Sequence, residues 1–307
     1  MVLLLAAAVY LCTLVVIQYC LGPAGVVFQH NIHYKPHGYG HLHARLREAA
    51  TTGPVDVIFL GSSHAYRQLD PRIFAGAGIR SFNLGSGSQS PLQSELLLRR
   101  YLDQLRPRLV VMDVFSSTFV GDGAESTVDL IASDDRDDNY WPLFWQAPRL
   151  IVLNAMLLDY FDRVAGIDPG PQPRRIKDDT YVAGGFVERD PVFYGREQGG
   201  PKMDPPVNPL QMAAFERLLA LLAARDIPVL LVRSPVTGDY RRIQGRRESF
   251  DRLMAGYGDY LNFNERLPLV DTLHFYDDNH LNQLGVPIYN EALIDSIRKR
   301  GYLAAGR

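Results

Sequence analysis

The chain opens on an unbroken apolar run, MVLLLAAAVYLCTLVVIQYCLG, with no charged side chain anywhere in residues 1–22. A helix rises about 1.5 Å per residue, so a run of roughly 20 residues matches the hydrocarbon core of a bilayer. The pattern predicts a membrane anchor or signal segment over residues 1–22. A cleaved signal usually carries a basic residue ahead of a shorter apolar core; no Lys or Arg precedes this run, which favours an uncleaved anchor. Residues 23–52 are polar and read as a juxtamembrane connector. From residue 53 the apolar positions change rhythm. Short runs at 55–60 (VDVIFL), 81–84 (SFNL), 109–115 (LVVMDVF) and 227–233 (IPVLLVR) read as buried strands, with DYLNF at 259–263 as a possible fifth. Between them PLQSELLLRRYLDQL and PLQMAAFERLLALLAARD show helical spacing, a helix is predicted near 245–256, and a last one from about 284.

Strands alternating with helices predict an α/β fold: a flavodoxin-like three-layer sandwich around a central, mostly parallel five-stranded sheet. The rhythm breaks over about 120–205, where Asp, Pro, Gly and aromatic residues accumulate around one apolar helical segment, PRLIVLNAMLLDYFDRV. This stretch reads as an insertion, over the sheet's active edge, into a single domain spanning 53–307. Its aromatic residues Tyr140, Trp141, Phe144 and Trp145 fit stacking on sugars or packing against the sheet.

Composition removes several function classes. At 307 residues and 47% hydrophobic, the chain has enough apolar material for a sizeable core. With 32 basic and 34 acidic side chains its formal charge is -2, which supplies no field for a polyanion and argues against nucleic acid as a partner. Both cysteines, Cys12 and Cys20, lie in the apolar run, leaving no disulfide framework elsewhere. Tyr19 is too bulky to precede a lipidated Cys20. The first basic residues, Lys35, Arg45 and Arg47, follow the span, and the positive-inside tendency would hold them cytoplasmic. The outward orientation expected below therefore follows from function alone. Five of the eight histidines, His30, His33, His37, His41 and His43, crowd the connector, but with only Glu48 as a nearby carboxylate they lack the donor set of a metal site.

Chemistry gathers where the predicted strands end, because loops at the carboxyl ends of parallel strands face one crevice. FLGSSHAYRQLDP places Ser62, Ser63 and His64 between a strand and a helix start, where amide N–H groups and the helix dipole favour an oxyanion. Taken alone, Ser62 or Ser63 is a helix cap. NLGSGSQS supplies Gly85 and Gly87, whose bare backbone admits a close substrate. In DDNHLNQLG, Asp277 stands three residues before His280, a spacing that suits a carboxylate orienting an imidazole beside a serine hydroxyl.

The three blocks together resemble the SGNH hydrolase superfamily, the GDSL-like hydrolases, over residues 55–300 apart from the insertion. GSS is similar to the family's Gly-Asp-Ser with Ser62 in the Asp position, as in some members of the envelope-associated DltD-like branch. The resemblance implies Ser63 as nucleophile, His280 as general base and Asp277 as its orienting carboxylate. It implies an oxyanion hole from the amides of Ser63 and Gly85. The family's third block, Gly-x-Asn-Asp, is absent; MDVFSSTF offers Ser116 or Ser117 instead, with Ser117 expected as the side-chain donor. The function so implied is a membrane-anchored serine esterase or O-acyltransferase, periplasmic or extracellular, acting on an acyl (acetyl) ester of a cell-envelope glycan. It needs no cofactor and no metal. The alternative is an SGNH-fold carbohydrate-binding or assembly protein with weak or no catalysis.

Overall fold

The computed structural model describes residues 2–21, 31, 32, 34–134, 140–168, 170–190, 192–195, 206–244, 247–264 and 266–304. In chain order their strands are β1 (Val57–Leu60), β2 (Ser81–Asn83), β3 (Leu109–Asp113), β4 (Arg175–Ile176), β5 (Asp179–Val182), β6 (Phe186–Arg189), β7 (Val229–Arg233) and β8 (Tyr260–Asn262). Five of them form the central sheet in the order β2-β1-β3-β7-β8, every neighbouring pair parallel. All four residues of β1 and all five of β3 are buried, as expected of strands covered on both faces.

Alternation along the strands divides the apolar residues between two cores. Ile58, Leu60, Val110, Met112 and Leu231 face one side, where they meet helices Pro91–Leu105 and Pro209–Ala223. Val57, Phe59, Leu109, Val111, Leu230 and Val232 face the other, with helices Pro71–Gly76 and Gly285–Lys299. Each fully buried Leu or Val contributes about 1.5–3 kcal/mol, so both faces are needed to hold the sheet. The Pro91–Leu105 helix starts sharply because Ser90 and Gln93 form a reciprocal cap and Pro91 pre-sets the first turn. The three-layer α/β fold and each of the five predicted strands are present.

The chain leaves β1 for β2 on one side, then crosses back to β3 on the other. This reversal opens a crevice beyond the carboxyl ends of β1 and β3, the usual ligand position in such sheets.

Two expectations change. The connector assigned to 23–52 is not all connector: helix Leu42–Ala49 packs Leu42, Leu46 and Ala49 into the main core. The i, i+4, i+7 spacing of those residues was masked by the polar residues around them. Arg45, fully buried there, donates from Nε to the Gly185 carbonyl at 2.7 Å and from Nη2 to the Gly40 carbonyl at 3.0 Å. The insertion also holds more than one helix. It contains Ala124–Ser133, Trp141–Gln146 and Leu150–Ala165, together with a small antiparallel sheet β4-β5-β6. That sheet is tied to the body by Arg67, which grips both carboxylate oxygens of Asp179 at 2.9 and 2.7 Å.

Of the clustered histidines, His30 and His33 lie outside the described residues. His37 and His43 lie against each other with ring centroids 4.3 Å apart and planes tilted by 32°, and His43 Nδ1 meets the Ser133 carbonyl at 2.9 Å. Among the described residues no group of three His, Cys, Asp or Glu side chains is arranged to hold a metal.

Candidate active site

β1 ends at Leu60, the chain turns at Gly61, and helix Ser63–Gln68 begins two residues after that glycine. Gly61 has φ 139°, and a Cβ there would lie 2.9 Å from Asp113 Cβ and 3.1 Å from the Asp113 carbonyl oxygen. Only glycine lets the turn pass this close to β3. Ser62 is the buried N-cap: its Oγ accepts from the His64 amide at 3.4 Å. Ser63, half-buried, is therefore the first helical residue, and its amide has no acceptor among the described residues.

Asp277 lies on the turn before the last helix. Its Oδ1 accepts from the amides of Asn279 at 3.0 Å and His280 at 2.7 Å, which winds the chain so that the His280 ring swings back over the carboxylate. His280 Nδ1 then sits 2.8 Å from Asp277 Oδ2 and 3.0 Å from Oδ1, while Nε2 lies 2.7 Å from Ser63 Oγ. With the proton on Nδ1, donating to the carboxylate, Nε2 is left to accept from the serine hydroxyl. Three side chains from opposite ends of the sequence thus form one hydrogen-bonded chain. Asp278 takes no part in it; its carbonyl holds Thr237 through the amide and Oγ1 at 3.1 and 2.8 Å.

Burial pushes the Asp277 carboxyl up, but the hydrogen bond and charge of His280, with the two amides, outweigh it and hold the group below its ordinary range. It is an anion at neutral pH.

His64, directly after Ser63, stacks on His280 with centroids 4.9 Å apart and planes 20° from parallel. Tyr276 also lies nearly parallel to His280, at 5.4 Å. His64 is 1% exposed, and desolvation, reinforced by the neighbouring His280 charge, drives its pKa well below the ordinary value. It stays neutral, so it adds no positive charge beside His280. Its Nδ1 meets Ser62 Oγ at 3.1 Å, with Asp113 Oδ2 at 3.9 Å behind. Asp113 is likewise buried, and desolvation raises its pKa to about 6 against the hydrogen bonds from the Ser234 amide and Oγ. Neither His64 nor Asp113 was singled out as a site residue from sequence. Only the position of His64 beside Ser63 carried a signal.

The expected oxyanion donors separate. Ser117 is exposed and lines the cavity with Ser63, whereas Ser116 is buried and accepts from Gln244 Nε2 at 2.5 Å. Gly85 departs from expectation, because its amide donates to Asn83 Oδ1 at 3.0 Å and is not a free donor in this structure. Asn83 is fully buried, and its Nδ2 in turn holds the carbonyls of Ala65 and Leu69 at 2.8 and 3.1 Å. Gly85 is required sterically: a Cβ there would meet Ala65 Cβ at 2.9 Å and the Gly61 carbonyl oxygen at 3.0 Å.

The cavity beside Ser63 holds about 390 Å³. Ser88, Ser90, Ser126, Asp122 and Glu125 make it polar, and among its lining residues Phe115 is the one large apolar side chain. The arrangement suits acyl transfer through a serine.

No protein-family model and no curated protein matches the chain. Among solved structures it is similar to one described as an acylhydrolase from Bacteroides fragilis, with 14% identity over 83% of this chain and 94% of that one and a TM-score of 0.42. It is similar to a GDSL-like lipase from Bacteroides thetaiotaomicron, with 14% identity, 84% and 98% coverage and a TM-score of 0.40. It is also similar to an acetyl xylan esterase from the rumen bacterium Butyrivibrio proteoclasticus, with 10% identity, 82% and 66% coverage and a TM-score of 0.34.

Proposed function

We propose that the chain is a serine esterase or O-acyltransferase of the SGNH (GDSL-like) type, related to the DltD-like branch through Ser62 in place of the family's Asp. Its substrate is an acetyl or similarly small ester of a cell-envelope glycan, and the N-terminal helix anchors it with the catalytic domain on the periplasmic or extracellular side. One observation carries the reading: Ser63 Oγ, His280 and Asp277 stand in hydrogen-bonding order at 2.7 and 2.8 Å.

In the reaction, His280 Nε2 takes the Ser63 proton as Oγ attacks the ester carbonyl. Asp277 stabilises the resulting imidazolium and fixes its orientation. The Ser63 amide and the Ser117 hydroxyl donate to the oxyanion. His280 then returns the proton to the departing alcohol, leaving an acyl group on Ser63. Water, or a sugar hydroxyl deprotonated by the same His280, attacks that ester and restores the serine. Hydrolysis and transfer share every step but the identity of this last acceptor. The polar cavity supports a short acyl group, since a long chain would find only Phe115 to cover it.

The test is labelling of the full chain with a fluorophosphonate. Covalent modification should map to Ser63 and vanish in Ser63→Ala, while Ser62→Ala keeps a weakened signal. Labelling that survives in Ser63→Ala and is lost in Ser62→Ala would reassign the nucleophile.

A further inference from the structure

The inserted helices Trp141–Gln146 and Leu150–Ala165 leave a large apolar surface uncovered. Trp145 is 70% exposed, Leu150 49% and Trp141 44%. The rings of Trp141, Phe144 and Trp145 pack on one another, with centroids 5.0–5.9 Å apart. Over residues 140–158 the single charged side chain is Arg149, and it is paired with Asp122 Oδ2 at 2.6 Å. A contiguous apolar patch of this kind marks a binding surface.

Its neighbour identifies what covers it. The apolar helix Val2–Val16 runs alongside Leu150–Ala165 in the same direction: Tyr10 Oη donates to Asn154 Oδ1 at 2.5 Å, and Tyr19, one π-helical turn beyond, donates to Asp162. Leu14 is buried at the contact, while Leu3, Leu4, Leu5 and Val9 stand free. Counted back from the Tyr10–Asn154 pair along the two parallel helices, Leu150 lies opposite about residue 6, beside the exposed Leu3, Leu4, Leu5 and Val9, so an apolar layer that buries those residues reaches Leu150 as well.

We propose that residues 140–158 form a bilayer-binding collar around the N-terminal helix, and that the Arg149–Asp122 pair fastens the rim of the active-site cavity to it. Asp122 lines that cavity, so the ester is processed against the membrane surface and not at the end of a free tether. Trp and Tyr beside an apolar helix are the side chains that favour the water–lipid interface. The proposal rests on the reading of the N-terminal helix as an anchor.

Trp141 and Trp145 are the chain's only 2 tryptophans, so emission excited selectively at tryptophan reports on the collar alone. The full chain is reconstituted in phosphatidylcholine–phosphatidylglycerol vesicles and floated on a density gradient. Its emission is then followed with acyl-brominated phosphatidylcholine and, separately, with aqueous acrylamide. The expected result is co-flotation, blue-shifted emission, loss of most of the signal to bromolipid and protection from acrylamide. Co-flotation with emission open to acrylamide and untouched by bromolipid overturns the collar while leaving the anchor standing, and would return the aromatics to a glycan- or protein-binding role. Failure to float overturns the anchor and the collar together.

Discussion

Asp277 makes both the turn and the charge. The same carboxylate that accepts the Asn279 and His280 amides also faces His280 Nδ1, so its side-chain amide isostere would keep much of the turn but present a donor to the ring. Asp277→Asn is expected to lower kcat by a factor on the order of 10³ to 10⁴, the effect of forcing the wrong tautomer in comparable triads. Asp278→Asn should stay near wild type in a steady-state ester assay, because Asp278 holds Thr237 through its backbone carbonyl. A damaging Asp278→Asn would transfer the orienting role. Asp277 and Asp113 also act oppositely on stability. Asp277, held below its ordinary range, stabilises the fold above that range, and the contribution is lost as pH falls. Asp113, pushed from 3.8 to about 6, favours the fold when protonated; its contribution is full below about 4 and lost as pH rises through about 6. At about 1.4 kcal/mol per pH unit that loss is on the order of 3 kcal/mol. Asp113→Asn should therefore flatten the decline in urea-unfolding stability between pH 4 and pH 7. An unchanged pH profile in the variant would show that Asp113 ionises as an ordinary carboxylate. Ser63, Asp277 and His280 were legible in the sequence because each sits in a short motif with its own turn chemistry. Asp113 was not, since its partner Ser234 is 121 residues away and the meeting depends on β3 pairing with β7.

Helix Ser63–Gln68 is held in place by its neighbours more than by its own length. Asn83 grips its Ala65 carbonyl and that of Leu69 just past its end, Arg67 ties it to β5, and Gly85 lets the β2 loop pass beneath Ala65. Gly85→Ala should push this helix away from Gly61, cost about 1–3 kcal/mol by overpacking, and lower kcat by displacing Ser63. Thermal unfolding and turnover measured on the same preparation test this; loss of kcat with wild-type stability would instead favour an oxyanion role for the Gly85 amide. In the loop after β3, Ser117→Ala is expected to reduce kcat by up to about 10²–10³-fold with KM little changed, the range for a single oxyanion donor. Ser116→Ala removes the Gln244 partner and should lower stability by about 0.5–1.5 kcal/mol while sparing kcat. The central strands were readable because doubly covered parallel strands are continuous apolar runs. The β4-β5-β6 sheet was not: its strands are two to four residues long and only partly buried, too short for a period to register. Likewise the glycine in NLGSGSQS was visible, but its engagement by Asn83 depends on a side chain turning back across two residues.

At the scale of the whole molecule, the strand reversal at β1 and β3 creates the crevice, and every part of the candidate site enters it from a different element. Ser63 comes from the end of β1, Ser117 from the end of β3, His280 from the turn before the last helix, and one wall from the insertion. The order of these parts along the sequence was enough to foresee their convergence. The packing of the N-terminal helix along Leu150–Ala165 was not foreseeable, because two apolar helices carry no marker of mutual register beyond the isolated Tyr10, Asn154, Tyr19 and Asp162. The central claim is that an acyl group passes through Ser63. It is tested most directly by mixing the full chain with p-nitrophenyl acetate, quenching in acid during turnover, and locating the acetyl group by peptide mass spectrometry. The expected result is a stoichiometric acetyl ester on Ser63 that is absent from Ser63→Ala and strongly reduced in His280→Ala, which lacks the base that forms it. Release of p-nitrophenol at the wild-type rate by Ser63→Ala, or an acetyl group found only on another residue, would contradict it.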